Sequence, residues 1–218
     1  MEQPHEFLWR TGRLNADGLP AVGASFDTLR PSAYQDGGYR LRRYSKFAYR
    51  RGSGQLRLLP NSGFIQSSEL NRFQGGVART YDEITEETFS APGFAEMFAA
   101  FAQTASLPEN TVIEVHQMRI IAKPTGEAAP ATPEGIHRDG FDYVGVFTVA
   151  RRNTQGGELF VWHRPDDAQP LAACLPEAGE YCVLNDRAVW HSASPVGAAD
   201  SGSAYWDLFV LTVNVEPV

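Results

Sequence analysis

The sequence predicts a mainly β protein, a sandwich or jelly-roll barrel, with one or more packing helices from its N-terminal half. Three observations lead there. From Val112 onward, short runs rich in β-branched and aromatic residues recur along the chain. Gly, Pro and Asn turn formers separate these runs. Helical periodicity is strongest in one stretch near residue 100. The 218-residue chain has 43% hydrophobic and 21% charged residues, the composition of a globular protein with enough apolar surface for a core. Its length is expected to make a single domain, residues 1–218. In that domain, residues 1–110 would supply strands and helix that pack on a barrel core formed by residues 111–216.

Residues 1–60 mix turn formers, including Asp36-Gly37-Gly38 and Gly52-Ser53-Gly54, with strands expected near residues 39–49 and 55–59. Further on, Thr85 precedes Glu86, Glu87 and Thr88. Pro92 then opens a run in which Phe94, Met97, Phe98, Phe101 and Ala102 fall at helical spacing. A helix over about residues 92–105 is expected, its Phe/Met stripe serving as core. Residues 112–120 largely alternate apolar and polar side chains, as a half-buried strand requires. Further strands are expected over 143–150, 157–163, 180–185, 188–192 and 205–215. The Pro/Ala-rich residues 123–133 read as a long loop.

The net charge of −7 argues against a nucleic-acid surface, which needs excess Lys and Arg to neutralise phosphates. One basic stretch runs through Arg30, Arg40, Arg42, Arg43, Lys46, Arg50, Arg51 and Arg57, interleaved with Tyr39, Tyr44, Phe47 and Tyr49. It reads as solvated charge on strands and turns, in preference to a face for an anionic partner. No leader pattern is visible, and no run approaches the roughly 18 apolar residues of a membrane span. A cytoplasmic protein with no membrane partner is expected. Cys174 and Cys182 lack ligand spacing and read as buried small hydrophobes in a reduced compartment.

The segment most informative for chemistry is Glu134-Gly135-Ile136-His137-Arg138-Asp139-Gly140. Residues two apart on a strand face the same way, so His137 and Asp139 can present an imidazole and a carboxylate to one point. His191, in Trp190-His191-Ser192, offers a third donor on a later strand. Two histidines and one carboxylate that leave other positions open are the set associated with non-haem Fe(II) oxygenases. A structural zinc site would take four protein ligands. His5 lies in a loose terminus, His116 on an alternating strand, and His163 beside the turn Arg164-Pro165-Asp166-Asp167.

Three segments carry a family likeness: Pro133 through Gly140, Arg151-Arg152-Asn153 with Gly156-Gly157-Glu158, and Asp186-Arg187 with Trp190-His191 and Pro195. They resemble the bacterial 2-oxoglutarate/Fe(II) dioxygenases that hydroxylate free L-amino acids, the isoleucine dioxygenase group, some relatives of which are named for biofilm, stress and motility. The resemblance covers roughly residues 110–215. It implies a double-stranded β-helix, a cupin-like jelly roll, with iron held by His137, Asp139 and His191 at one mouth. It also implies Fe(II), 2-oxoglutarate and O₂ as cofactor and co-substrates, succinate and CO₂ as co-products, and a small-molecule substrate such as a free L-amino acid. Two alternatives remain open: a cupin-like metal-dependent enzyme that is not an oxygenase, and a non-catalytic, stress-related small-molecule binding module.

The sequence departs from the family pattern at one point. Such enzymes usually grip the far carboxylate of 2-oxoglutarate with an arginine on the strand after the second histidine, here Tyr205-Trp206-Asp207-Leu208. No Arg or Lys follows His191 in this chain. A buried anion needs a cationic fork, so Arg151 and Arg119 become the candidates unless the co-substrate differs. Arg151 is favoured because it lies an even number of positions after Asp139 and an unbulged strand would aim both at one interior. For an amino-acid substrate, Arg138 and Asp142 are candidate contacts, and Phe141, Tyr143, Phe147 and Trp206 candidate apolar lining.

Overall fold

The alternation that marks residues 112–120 builds the central strand of the molecule, and the rest of the fold is laid out on either side of it. The computed structural model describes residues 7–60, 63–69, 73–122 and 127–215. In chain order the strands are β1 (Trp9–Arg13), β2 (Arg40–Arg50), β3 (Gln55–Leu59), β4 (Asn110–Ile121), β5 (Tyr143–Arg152) and β6 (Thr154–Gly156). They continue as β7 (Leu159–Trp162), β8 (Ala172–Cys174), β9 (Glu180–Asn185), β10 (Trp190–Ala193), β11 (Val196–Ala198) and β12 (Tyr205–Val213). The helices are α1 (Leu19–Ala24), α2 (Glu86–Phe89) and α3 (Pro92–Thr104).

Among the described residues, a seven-stranded antiparallel sheet runs β1-β9-β5-β12-β4-β2-β3. A smaller sheet, β10-β7-β8, and the pair β11-β6 complete a jelly-roll arrangement. The large sheet has two unlike faces, set by strand parity. On one face Ile113 and Val115 of β4, Phe47 of β2, Phe147 of β5 and Phe209 of β12 meet the stripe of α3 in a single apolar core. Phe94, Met97, Phe98, Phe101 and Ala102 are all buried there, as their spacing predicts. Rings cross edge to face, with centroids 5.6 Å apart for Phe47–Phe98 and 5.5 Å for Phe94–Phe209. Burying each such ring contributes on the order of 1.5–3 kcal/mol. On the opposite face, His116, Met118 and Ile120 of β4 look into a cavity shared with the small sheet.

The N-terminal region is more regular than its turn-rich sequence predicts. β1 pairs along β9 at the sheet edge, and α1 lies against α3. That approach is close: a Cβ on Gly93 would meet the Gly18 carbonyl oxygen at 2.6 Å, which explains a glycine at this helix start. Thr85 caps α2 by accepting a hydrogen bond from the Thr88 amide. The basic stretch is divided between environments. Lys46 pairs with Glu114, while Arg40 and Arg42 turn into the cavity, contrary to the solvated reading. Cys182 is buried and Cys174 only partly so, and both are free thiols. His5 and residues 123–126 of the long loop fall outside the described residues.

Candidate metal centre

His137 and Asp139 do not lie on a strand. They occupy the loop before β5, and His137 is tied to β10 by a two-way backbone bridge, His137 N–H to His191 O at 3.0 Å and His191 N–H to His137 O at 2.9 Å. This bridge brings two residues distant in sequence side by side, with ring centroids 4.3 Å apart. One donor atom from each of His137, Asp139 and His191 lies within 4.8 Å of the other two. Asp139 Oδ1 is 3.6 Å from His137 Nε2, and Oδ2 is 3.4 Å from His191 Nε2. These spacings are long for hydrogen bonds. They suit atoms sharing one ion, since ligands about 2.1 Å from a metal and roughly at right angles sit about 3 Å apart.

The surroundings favour positive charge at this point. Burial alone would raise the Asp139 carboxyl, but contact with His191 and the charge of His137 and His191 hold it well below the ordinary carboxylate range. Burial works against a charged His191, yet Asp139 and Asp186 on either side raise it to about 10. His137 Nδ1 faces the Gly135 carbonyl at 3.0 Å, an arrangement that leaves Nε2 turned to the centre. Gly135 and Gly140 bracket the ligand loop at φ +81° and +87°, conformations that glycine adopts without strain.

Asp186 organises the loop from beneath. Its carboxylate accepts hydrogen bonds from the amides of Asp139 (3.2 Å), Gly140 (2.8 Å) and Phe141 (3.2 Å), and lies 3.4 Å from His191 Nδ1. On the other side, Gln66 Nε2 donates to Asp139 Oδ1 at 3.1 Å, and Arg79 Nη2 donates to Gln66 Oε1 at 3.3 Å. The donor set, its burial and this outer layer of partners fit a divalent iron held by two imidazoles and a carboxylate.

The cavity combines an apolar lining with charge. Met118, Ile120, Phe141, Leu159, Trp206 and Leu208 contribute apolar surface, while Arg40, Arg42, Arg79, Glu134 and His116 contribute polar groups. Burial first, then Arg42, pushes His116 well below its usual range, so it stands as a neutral imidazole. Asp36 balances part of the positive charge, lying 3.0 Å from Arg40 Nη1 and 3.8 Å from Arg42 Nη2. Of the expected aromatics, Phe141 and Trp206 line the cavity, while Tyr143 and Phe147 pack into the helix-side core. Sequence reasoning did not anticipate Glu134, Gln66, Arg79 or the inward turn of Arg40 and Arg42. Gln66 and Arg79 sit in irregular segments with no periodicity to read.

The two arginines considered for 2-oxoglutarate are placed differently. Arg119 lies on the helix side of β4 directly opposite Asp207 of β12. It gives Asp207 a two-pronged pair at 2.6 and 2.8 Å and reaches Asp27 at 3.0 Å, so its guanidinium is engaged away from the cavity. Arg151 stands opposite Trp206, which faces the cavity. A bulge brings Arg151 to this side of the sheet, beside Trp206 but not among the residues that line the cavity: Asp207 pairs with Ala150 and Leu208 with Thr148, so Val149 is passed over and the parity of β5 reverses. The guanidinium lies 5.0 Å from the Trp206 ring centroid and donates to the Gly156 carbonyl. Its Nη1 is buried with no hydrogen-bond partner among the described residues. Arg138 donates to the Val189 carbonyl and stacks on Trp190, and Asp142 pairs with Arg187, so both are engaged outside the cavity lining.

Residues 23–212, which include all three donors, match the family described as 2OG-Fe dioxygenase. An L-isoleucine-4-hydroxylase of Bacillus thuringiensis is 26% identical over 204 residues, covering 90% of this chain and 82% of that protein. Among solved structures, a BsmA homologue from Methylobium petroleophilum has a TM-score of 0.77 at 29% identity, covering 92% of this chain and 82% of that one. IDO from Bacillus thuringiensis shares the fold with a TM-score of 0.72 at 18% identity, covering 92% and 83%. The chain belongs to the 2OG-Fe dioxygenase family, enzymes that use Fe(II), 2-oxoglutarate and O₂.

Proposed function

We propose that His137, Asp139 and His191 hold the iron and that the enzyme hydroxylates a free amino acid or a similarly small metabolite. The observation that carries this reading is the convergence of the three donors on a cavity lined by both charged and apolar side chains. The relative named for L-isoleucine 4-hydroxylation supports the substrate class. Family membership sets aside the non-oxygenase and non-catalytic alternatives.

Bound iron would supply oxidation of an unactivated C–H bond, coupled to conversion of 2-oxoglutarate into succinate and CO₂. The chain's own residues prepare for that chemistry. Three protein ligands leave positions free for a chelating co-substrate and O₂. Asp186 fixes the loop that carries Asp139 and turns His191 to the centre. Met118, Ile120 and Leu208 exclude water from the interior.

For the far carboxylate of 2-oxoglutarate we favour Arg151 over Arg119. Its buried Nη1, unpartnered among the described residues, is available for a charge-assisted hydrogen bond, whereas Arg119 is committed to Asp207 and Asp27. Arg151→Ala should raise the dissociation constant of 2-oxoglutarate about 10- to 100-fold while leaving Fe(II) binding intact. Residues 1–218 would act as one domain, since β2 from the N-terminal half pairs along β4 of the barrel and α3 covers the barrel sheet. Among the described residues no helix is long and apolar enough to cross a membrane.

The test is anaerobic reconstitution with Fe(II) and 2-oxoglutarate, followed by O₂ and the twenty common L-amino acids in turn, with succinate as the readout. Succinate formed in step with a hydroxylated amino acid supports the substrate class. Succinate unchanged by every amino acid would move the substrate to another class of small molecule.

A further inference from the structure

Among the described residues that line the cavity, Glu134 is the one carboxylate outside the triad of donors. It sits in the turn before the ligand loop, where the Gly135 amide donates to the Thr132 carbonyl at 2.9 Å. Its side chain is only 9% exposed, with Oε1 3.3 Å from His137 Nε2. Oε2 is buried and has no hydrogen-bond partner among the described residues. A buried carboxylate without donors is costly, so a fold that retains one in its cavity leaves room for a cationic partner to arrive. Iron is not that partner by geometry, because Glu134 is outside the set of donor atoms that gather about one centre. With His137 Nε2 given to a metal, neither carboxylate oxygen of Glu134 has a hydrogen-bond donor among the described residues.

We infer that Glu134 binds the ammonium group of an amino-acid substrate beside the metal centre, and so selects zwitterions over the corresponding carboxylic acids. The inference rests on the free-amino-acid reading of the substrate and identifies the residue that would enforce it. The cavity offers the complementary charge as well: Arg79, whose Nε is buried and unpartnered among the described residues, and Arg42 both line it. A zwitterion therefore meets an acid and a base in one enclosed space, and its side chain is left to Met118, Ile120 and Leu208. An ammonium donates three hydrogen bonds and carries full charge, the match for an acceptor-only carboxylate.

The test uses the protein loaded with Fe(II) and 2-oxoglutarate under nitrogen, with calorimetric titration of the twenty L-amino acids. For the tightest binder, its des-amino acid, identical but for the missing ammonium, is titrated as well. The wild type should hold the amino acid about 10- to 100-fold more tightly than the des-amino acid. Glu134→Gln, close in shape and lacking the charge, should lose most of that preference while binding the des-amino acid as before. Its Fe(II) affinity, measured separately, should match the wild type. Equal weakening of both ligands, or no change in either, would overturn the assignment of Glu134 and leave the substrate class standing. A fall in Fe(II) affinity like that of Asp139→Ala would make Glu134 a metal ligand, which also overturns it. If no amino acid binds the wild type, the substrate reading itself fails, and this inference fails with it.

Discussion

The two faces of the large sheet are built from the same strands yet obey different rules. On β4, Ile113 and Val115 enter a core in which Phe94, Phe98 and Phe101 are wholly buried among apolar neighbours. One residue later the strand turns His116 toward a cavity that also receives Arg40, Arg42 and Arg79. The first face is stabilised chiefly by area and packing, and on it Arg119 and the buried Asp207 are paired with each other. The second holds buried polar and charged groups whose hydrogen bonds are incomplete: Arg79 Nε, Glu134 Oε2 and His116 Nδ1 are unpartnered among the described residues. Apolar packing is concentrated on one side, and on the other, in the proposed function, metal and ligands would supply the missing partners.

That division predicts which properties separate on mutation. The largest effect should come from Asp139→Ala, which removes the only carboxylate of the donor triad. Turnover should be abolished and Fe(II) affinity should fall by at least about 100-fold, by metal titration, while the metal-free protein still unfolds cooperatively. The mirror-image change is Phe98→Ala, which empties the packed face. A loss of about 3–5 kcal/mol in denaturant unfolding is expected, with Fe(II) affinity of the folded protein unchanged. If Phe98→Ala weakened the metal as much as it weakened the fold, the two faces would not be independent.

Asp186→Asn sharpens the comparison, because Asp186 lies under the ligand loop and touches His191 without being a donor itself. Fe(II) affinity should fall about 10- to 100-fold, the effect of losing an orienting partner. A full loss would give Asp186 a role equal to that of Asp139. The smallest change belongs to His163→Ala. His163 is exposed in the turn after β7, so metal affinity should be unaltered and stability should move by less than about 0.5 kcal/mol. A measurable drop in iron binding there would mean that the donor set is wrong.

Legibility in the sequence followed the range of the forces involved. The α3 stripe was readable because a helix repeats its contacts every three to four residues, and Pro92 marks its start. β3 and β9 fell where alternation and turn formers placed them. β1, α1 and the three-residue strands β6, β8 and β11 are not marked by the local pattern and owe their form to the partners they pack on. The pairing of His137 with Asp139 was anticipated on the premise of strand parity, whereas the structure holds them in a loop pinned by the His137–His191 bridge and by Asp186. Arg151 gives a similar lesson. The count from Asp139 pointed it inward, but Asp139 is not on β5, and the reversal at the bulge is what turns Arg151 toward Trp206.

By itself the sequence determined what local chemistry can determine: a donor set of two imidazoles and a carboxylate, a helix with one apolar stripe, and a succession of strands able to form a barrel. The tertiary structure decided which charges face inward. Arg40 and Arg42 lie in a stretch whose charge reads as solvated, yet Asp36 and the segments carrying Gln66 and Arg79 enclose them. Arg119, spaced as plausibly as Arg151, is drawn to the other side of the sheet by Asp207. The physical reason is that a strand shows alternate residues to each face but carries no mark of which face will be covered. Covering depends on register, on a one-residue bulge and on chain distant in sequence.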